Sequence, residues 1–156
     1  MEIRYPSKET VILINKRVVG LEGQTHSVQS SALDYIDIAA FRFEDEPAFR
    51  TKVIKKAAYI LERLCCGHPF IDGNKRTSFL AVAWFLRSNL NLHEPFIVFD
   101  YPHAAEFICK IAQGKASQQE IRLWLEEQVK KEESAQSIDS DGKEREQDAG
   151  GEKDAD

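Results

Sequence analysis

The chain has 156 residues, 42% of them hydrophobic and 30% charged, which suits one globular domain with a real core and leaves too little for two. Residues 134–156 carry eight acids against three bases, so this segment accounts for the whole net charge of −5 and the rest of the chain is balanced. A balanced body does not suit bulk nucleic-acid binding, which needs a basic surface to release counterions.

In chain order, Ser7 suits the N-cap of a first helix through VILINKRV, with Gly20 and Gly23 marking its exit. GLEGQTHSVQS then reads as a polar loop and SALDYIDIAA as a second, short helix. FRFEDE, residues 41–46, alternates apolar and charged and suits a short extended segment. Asp45 and Glu46 suit the cap of a third helix, Pro47 its first turn, and Phe49, Val53, Ala57, Ile60 and Leu64 recur at spacings of three and four up to Gly67. A fourth helix is predicted from Asn74 to Asn89; its middle, FLAVAWFL, is apolar all round, the mark of a central helix surrounded by others. Phe96–Phe99 suits a strand or packed connector, and Tyr101–Gln113 a fifth helix stopped by Gly114. Ser117 with Glu120 forms a capping box for a sixth, which presents Ile121, Trp124, Leu125 and Val129 to the core. Beyond Ser134 the apolar period is lost, and the composition predicts a disordered acidic tail over 134–156 after a domain of residues 1–133.

Cys65, Cys66 and Cys109 have neither CxxC spacing nor the pattern of a disulfide framework, and they read as reduced, partly buried thiols. No signal peptide is visible, because the N-terminal region has only the four-residue apolar run Val11–Ile14. The longest apolar run, Phe79–Leu86, falls far short of the roughly 20 residues that cross a bilayer. The expectation is a cytoplasmic protein with no membrane partner. His26, His93 and His103 stand singly without ligand spacing, and Trp84 and Trp124 lie on apolar helical faces as core residues.

The chemistry is concentrated in GHPFIDGNKRTSF, residues 67–79, between the third and fourth helices. A helix that begins near Asn74 presents unpartnered amides and the positive end of its dipole to this stretch, so an anion is the natural guest. Gly73 lets the backbone approach that anion, and Asn74 tolerates unusual dihedrals while offering a side-chain amide. Lys75 and Arg76 add two cations in a turn where cations are disfavoured unless an anion compensates them, and the fork of Arg76 suits phosphate oxygens. Asp72 would repel a bare phosphate unless a cation lay between them. Magnesium is held by one or two carboxylates together with substrate phosphates, so a single Asp is enough. His68 is the nearby side chain able to take a proton at neutral pH. The parts describe metal-assisted phosphoryl or nucleotidyl transfer to a hydroxyl, with Phe70 assigned to packing.

HPFIDGNKRTSF resembles the Fic signature HxFx(D/E)GNxRxxR, matching it at His68, Phe70, Asp72, Gly73, Asn74 and Arg76. Lys75, together with Phe79 where the second arginine would stand, makes it more similar to the death-on-curing (Doc) branch of the Fic/Doc superfamily. GLEGQTHSVQSSALD, KAAYILERLCCGHPF, FLAVAWFLRSN and VFDYPHAAEFICKIAQGKASQQEI look like Doc-type segments in the same order, so the likeness spans roughly residues 1–130. The resemblance implies an all-α fold of about six helices and ATP or another nucleoside triphosphate with Mg²⁺ as donor. The acceptor it implies is a Ser, Thr or Tyr hydroxyl of a target protein. By carry-over His68 is the catalytic base, Asp72 the metal ligand, and Gly73, Asn74, Lys75 and Arg76 bind the donor phosphates. The Doc likeness further implies a toxin of a toxin–antitoxin pair, restrained by an antitoxin that supplies an inhibitory helix. The departure at Phe79 bears on donor orientation, AMP transfer in typical Fic proteins against terminal phosphoryl transfer in Doc-type members.

Two other readings use the same residues. His68 and Asp72 as helix caps would leave a nucleotide-binding or protein-interaction module on the same fold without transfer activity. The inhibitory pattern (S/T)xxxE(G/N) has one partial hit in this chain, Ser140 with Glu144, but Arg145 follows it and Gly142 weakens a helix there, so restraint in cis is not the expectation.

Overall fold

The computed structural model describes residues 1–20, 28–92 and 101–149, without the side chains of residues 30, 101–102 and 137–149. Gly23, His26, His93 and the Phe96–Phe99 run lie outside the described residues. Six helices appear among those described: α1 (Lys8–Val19), α2 (Ser30–Ala39), α3 (Phe49–Gly67), α4 (Asn74–Leu90), α5 (Tyr101–Ala112) and α6 (Gln118–Ala149). Among the described residues there is no strand, only one isolated antiparallel bridge between Val28 and Phe70. The fold is all-α, as the sequence predicts.

The helix ends follow local chemistry. Ser7 caps α1 by accepting a hydrogen bond from the Thr10 amide at 3.1 Å, and Gly20 closes it in the left-handed conformation, φ 74°. The capping box of α6 is formed: the Glu120 amide donates to Ser117 Oγ at 3.1 Å, and the Glu120 carboxylate accepts from the Ser117 amide at 3.4 Å. Gly114, at φ 72°, ends α5 with the Lys115 amide reaching back to the Lys110 carbonyl.

α3 and α4 share the largest contact in the fold; α3 also packs on α2, α5 and α6, and α4 on α1 and α5. The centre is therefore this pair rather than α4 alone, and Leu80 leaves one flank of α4 exposed. Val53, Ala57, Ile60 and Leu64 of α3, Phe85 and Leu86 of α4, and Ile121, Leu125 and Val129 of α6 are buried at the predicted spacings, with Trp124 partly buried against the core. No described helix is long and apolar enough to cross a membrane.

Two expectations need correction. FRFEDE is a series of turns, with Phe43 left-handed at φ 63°. Its alternation serves a different purpose: Phe43 packs on the core edge-on to Tyr59, Arg42 stacks over both rings, and Glu44 accepts from the Lys56 amine. α3 starts at Phe49 with no side-chain cap on its own amides; the Glu46 carboxylate accepts from Lys55 at 2.6 Å and from the Ala48 amide just before the helix at 3.4 Å. α6 runs past Ser134 to Ala149. Arg50 of α3 binds Glu126 and Glu133 together, which holds this helix up to the point where the apolar period ends.

Lys56 is 0% exposed, its amine donating to the carbonyls of Ala39 at 2.9 Å and Ala40 at 3.1 Å and to Glu44. It thus closes the negative end of α2 with a buried cation. Lys56→Met is expected to lower unfolding free energy in urea by about 2–3 kcal/mol, the worth of charge-assisted bonds that leave carbonyls unpaired. Glu44 is held below the usual 4.5 chiefly by its Lys56 hydrogen bond, Glu46 by Lys55 and Glu120 by Lys110. A depressed carboxyl contributes stability above its unfolded value and loses it as pH falls through the folded one. Thermal midpoints should therefore decline as pH drops below 4.5, and Glu44→Gln should flatten part of that decline.

Candidate active site

α3 ends at Gly67, and His68 takes its C-cap position in the left-handed region, φ 46° and ψ 59°, with an exposed side chain. That conformation is uncommon for a side chain with a Cβ and turns the chain sharply out of the helix. Pro69 accepts a 2.8 Å hydrogen bond from the Gln29 amide, next to the Val28–Phe70 bridge, which ties the entry of α2 to the loop. The Phe70 ring is buried in the core, as its packing assignment requires.

Asn74 closes the loop. Its Oδ1 accepts from the Phe70 amide at 2.9 Å and its Nδ2 donates to the Phe70 carbonyl at 2.7 Å. The side-chain amide expected to face an anion is thus turned onto the backbone, and what Asn74 offers the site is its own main chain. The unusual dihedral falls on Gly73 instead, at φ 75° and ψ 15°. A Cβ there would lie 2.9 Å from Val19 Cγ1 and 3.0 Å from Val18 Cγ1, so α1 presses against the turn. Asp72 is exposed, and its Oδ1 accepts from the Gly73 amide at 2.7 Å.

A cleft of about 330 Å³ opens over this turn, lined by His68, Ile71, Asp72, Gly73, Asn74, Lys75 and Arg76, with Val18 and Val19 from the last turn of α1. All six site residues of the sequence analysis therefore line one cavity. α4 begins in it with no side-chain cap, so its first amides face the cleft at the positive end of the helix dipole. Asp72 bonds the amide next to it and caps neither the second nor the third amide of α4, which argues against reading it as an N-cap. Asp72 puts one exposed carboxylate beside this helix end, the kind of single protein oxygen ligand that Mg²⁺ accepts when phosphates supply the others.

Phe79 is only 5% exposed and packs in the core, so its position contributes no group to the cleft. Burial pushes the Cys65 thiol up to about 12, and Cys66, raised by the same cause, lies against the Ile111 carbonyl. Both shifts favour the uncharged thiol; Cys65 is buried, whereas Cys66 is exposed and not partly buried as expected. Ile71 went unassigned in the sequence; it is 82% exposed on the rim of the cleft, an apolar side chain between His68 and Asp72. Asn15, also missed, is fully buried on α1, and its Nδ2 donates to the Asp72 carbonyl at 2.8 Å and to Thr77 Oγ1 at 3.1 Å. Inside VILINKRV it looks like one polar residue on a helix, and nothing local marks it as buried.

A family model described as Fic/DOC family matches residues 6–86, which takes in α1, α2, α3, most of α4 and the whole of this cleft. The chain belongs to the Fic/DOC family, whose members generally transfer nucleotidyl groups to proteins. No curated protein is similar enough to the chain to count as a match.

The turn makes a graded prediction. Gly73→Ala adds a steric clash to an unfavourable φ, whereas at Gly20, φ 74°, a Cβ would meet nothing within 4 Å. Chemical denaturation should show a loss of about 1 kcal/mol for Gly20→Ala and about 2–4 kcal/mol for Gly73→Ala.

Proposed function

We propose that the chain is a Doc-like transferase that moves a phosphoryl or AMP group from ATP to a Ser, Thr or Tyr hydroxyl of a target protein. The observation that carries this reading is the uncapped N-terminus of α4 inside the cleft, with Lys75, Arg76, His68 and Asp72 around it. An anion there meets main-chain amides, the helix dipole and two cations at once.

Each residue then has a role. Gly73 lets the chain lie close to the phosphate, the first amides of α4 at Asn74 and Lys75 receive its oxygens, and the Arg76 fork and Lys75 amine neutralise their charge. Asp72 would hold Mg²⁺, which would screen the phosphate charge and polarise the P–O bond. His68 takes the acceptor hydroxyl proton as the oxygen attacks phosphorus. One O–P bond forms, the phosphoanhydride breaks, and the leaving group is ADP for phosphoryl transfer or pyrophosphate for AMP transfer. With Phe79 in the core, the cleft has no second arginine at that position, which favours the Doc-type outcome. The same reading makes the protein a cytoplasmic toxin whose antitoxin covers the cleft with a helix.

ATP labelled separately at the α and γ phosphates, incubated with the protein and a cell extract, distinguishes the outcomes. Transfer of γ label marks a kinase, transfer of α label an AMP transferase, and His68→Ala should lower either by about 10²–10⁴-fold. Label from neither position in any protein, with nucleotide still stabilising the fold, would establish the inactive binding module instead.

A further inference from the structure

Asn15 lies outside the motif, on a helix 57 residues earlier in the chain than Asp72, yet it reaches the loop from beneath. It is 0% exposed, in the last two turns of α1, against the turn that Val18 and Val19 also support. Burying a primary amide is unfavourable unless its hydrogens are paired. Here the side-chain amide reaches the junction twice, bonding the Asp72 carbonyl and the Thr77 hydroxyl in the first turn of α4.

The bond to the carbonyl has a geometric consequence. A trans peptide carries its C=O and N–H on opposite sides, so fixing the Asp72 carbonyl toward α1 directs the Gly73 N–H away from it. That N–H is the donor that holds Asp72 Oδ1 at 2.7 Å. Gly73, having no Cβ, gives this peptide unusual freedom to rotate, and Asn15 is the side chain that removes it. With one carboxylate oxygen tied down, the other is held in a fixed place for a cation.

We infer that Asn15 is a positioning residue that locks the Asp72–Gly73 peptide and thereby sets the Asp72 carboxylate for a divalent cation. The inference rests on the proposed role of Asp72 in holding Mg²⁺. Asn15 touches neither cation nor phosphate in this scheme; it acts through the peptide it anchors. Thr77 shares the same amide but bonds it on the α4 side, so removing the Thr77 hydroxyl leaves the anchor on the Asp72 carbonyl in place.

The test compares Asn15→Ala and the milder Asn15→Ser with Thr77→Val, in the full chain. The first readout needs no ligand: the exchange of the Gly73 amide with water, followed by NMR. Asn15→Ala should speed it about fivefold, the effect of losing one hydrogen bond that orders the donor, and Thr77→Val should leave it near the wild-type rate. Equal acceleration in Asn15→Ala and Thr77→Val, or no acceleration in Asn15→Ser and Asn15→Ala, would overturn the inference. The second readout is the Mg²⁺ concentration that half-saturates ATP binding, expected to rise about tenfold in Asn15→Ala with little change in metal-free ATP affinity. An unchanged Mg²⁺ midpoint beside faster Gly73 exchange would overturn the link from peptide to cation. Wild-type protein that binds ATP without any Mg²⁺ dependence would instead remove the metal role of Asp72, and the inference with it.

Discussion

The structure turns on the contact between Gly73 and α1. Helix α4 can begin where it does only because one residue takes a left-handed turn with its Cα against Val18, Val19 and Asn15, a place with no room for a side chain. From that contact follow the direction of α4, the exposure of its first amides and the path of the preceding loop. The loop gains the rest of its order from bonds that each use a different part of the fold. Gln29 at the entry of α2 holds Pro69, the Asn74 side chain holds Phe70 on both its main-chain groups, and the Phe70 ring sits in the core. A site whose partners are all committed in this way loses little entropy when a ligand arrives, which is the physical sense of preorganisation.

The same architecture explains why the site is open. Side-chain caps satisfy the N-termini of α1 and α6, through Ser7 and through Ser117 with Glu120. At α4 the residues that would normally cap are used elsewhere: Asp72 on the amide beside it, Asn74 on Phe70. The helix end is left with positive potential and two further cations, Lys75 and Arg76, on its first turn. Such an end favours an anion, and at α4 it opens into the cleft.

Much of this was legible in the sequence, and the reasons are local. Ser7, Gly20, Gly114 and the Ser117–Glu120 pair act within a few residues of themselves, and the three-and-four spacing of α3 reports its buried face directly. The candidate site residues stand out because they are contiguous and resemble a signature, and the structure places them around one cleft. What the sequence concealed needs contacts between distant segments. Lys56 is buried because α2 brings its terminal carbonyls to it, and Asn15 because α4 and the loop close over it, contacts that no local pattern announces. FRFEDE misled for a related reason: alternation is shared by strands and by turns whose aromatic residue is pinned by distant rings and cations. The Asn74 side chain lines the loop and not an anion, because an amide that can bind an anion can equally close a turn.

The central claim is that the N-terminus of α4 is a phosphate site. Its most direct measurement is the amide spectrum of the labelled protein during titration with ATP in the presence of Mg²⁺. The account predicts the largest shifts at the Gly73, Asn74 and Lys75 amides, with α5 and the far end of α6 undisturbed. Shifts that centre elsewhere on the molecule, or a spectrum that does not change at millimolar nucleotide, would contradict it.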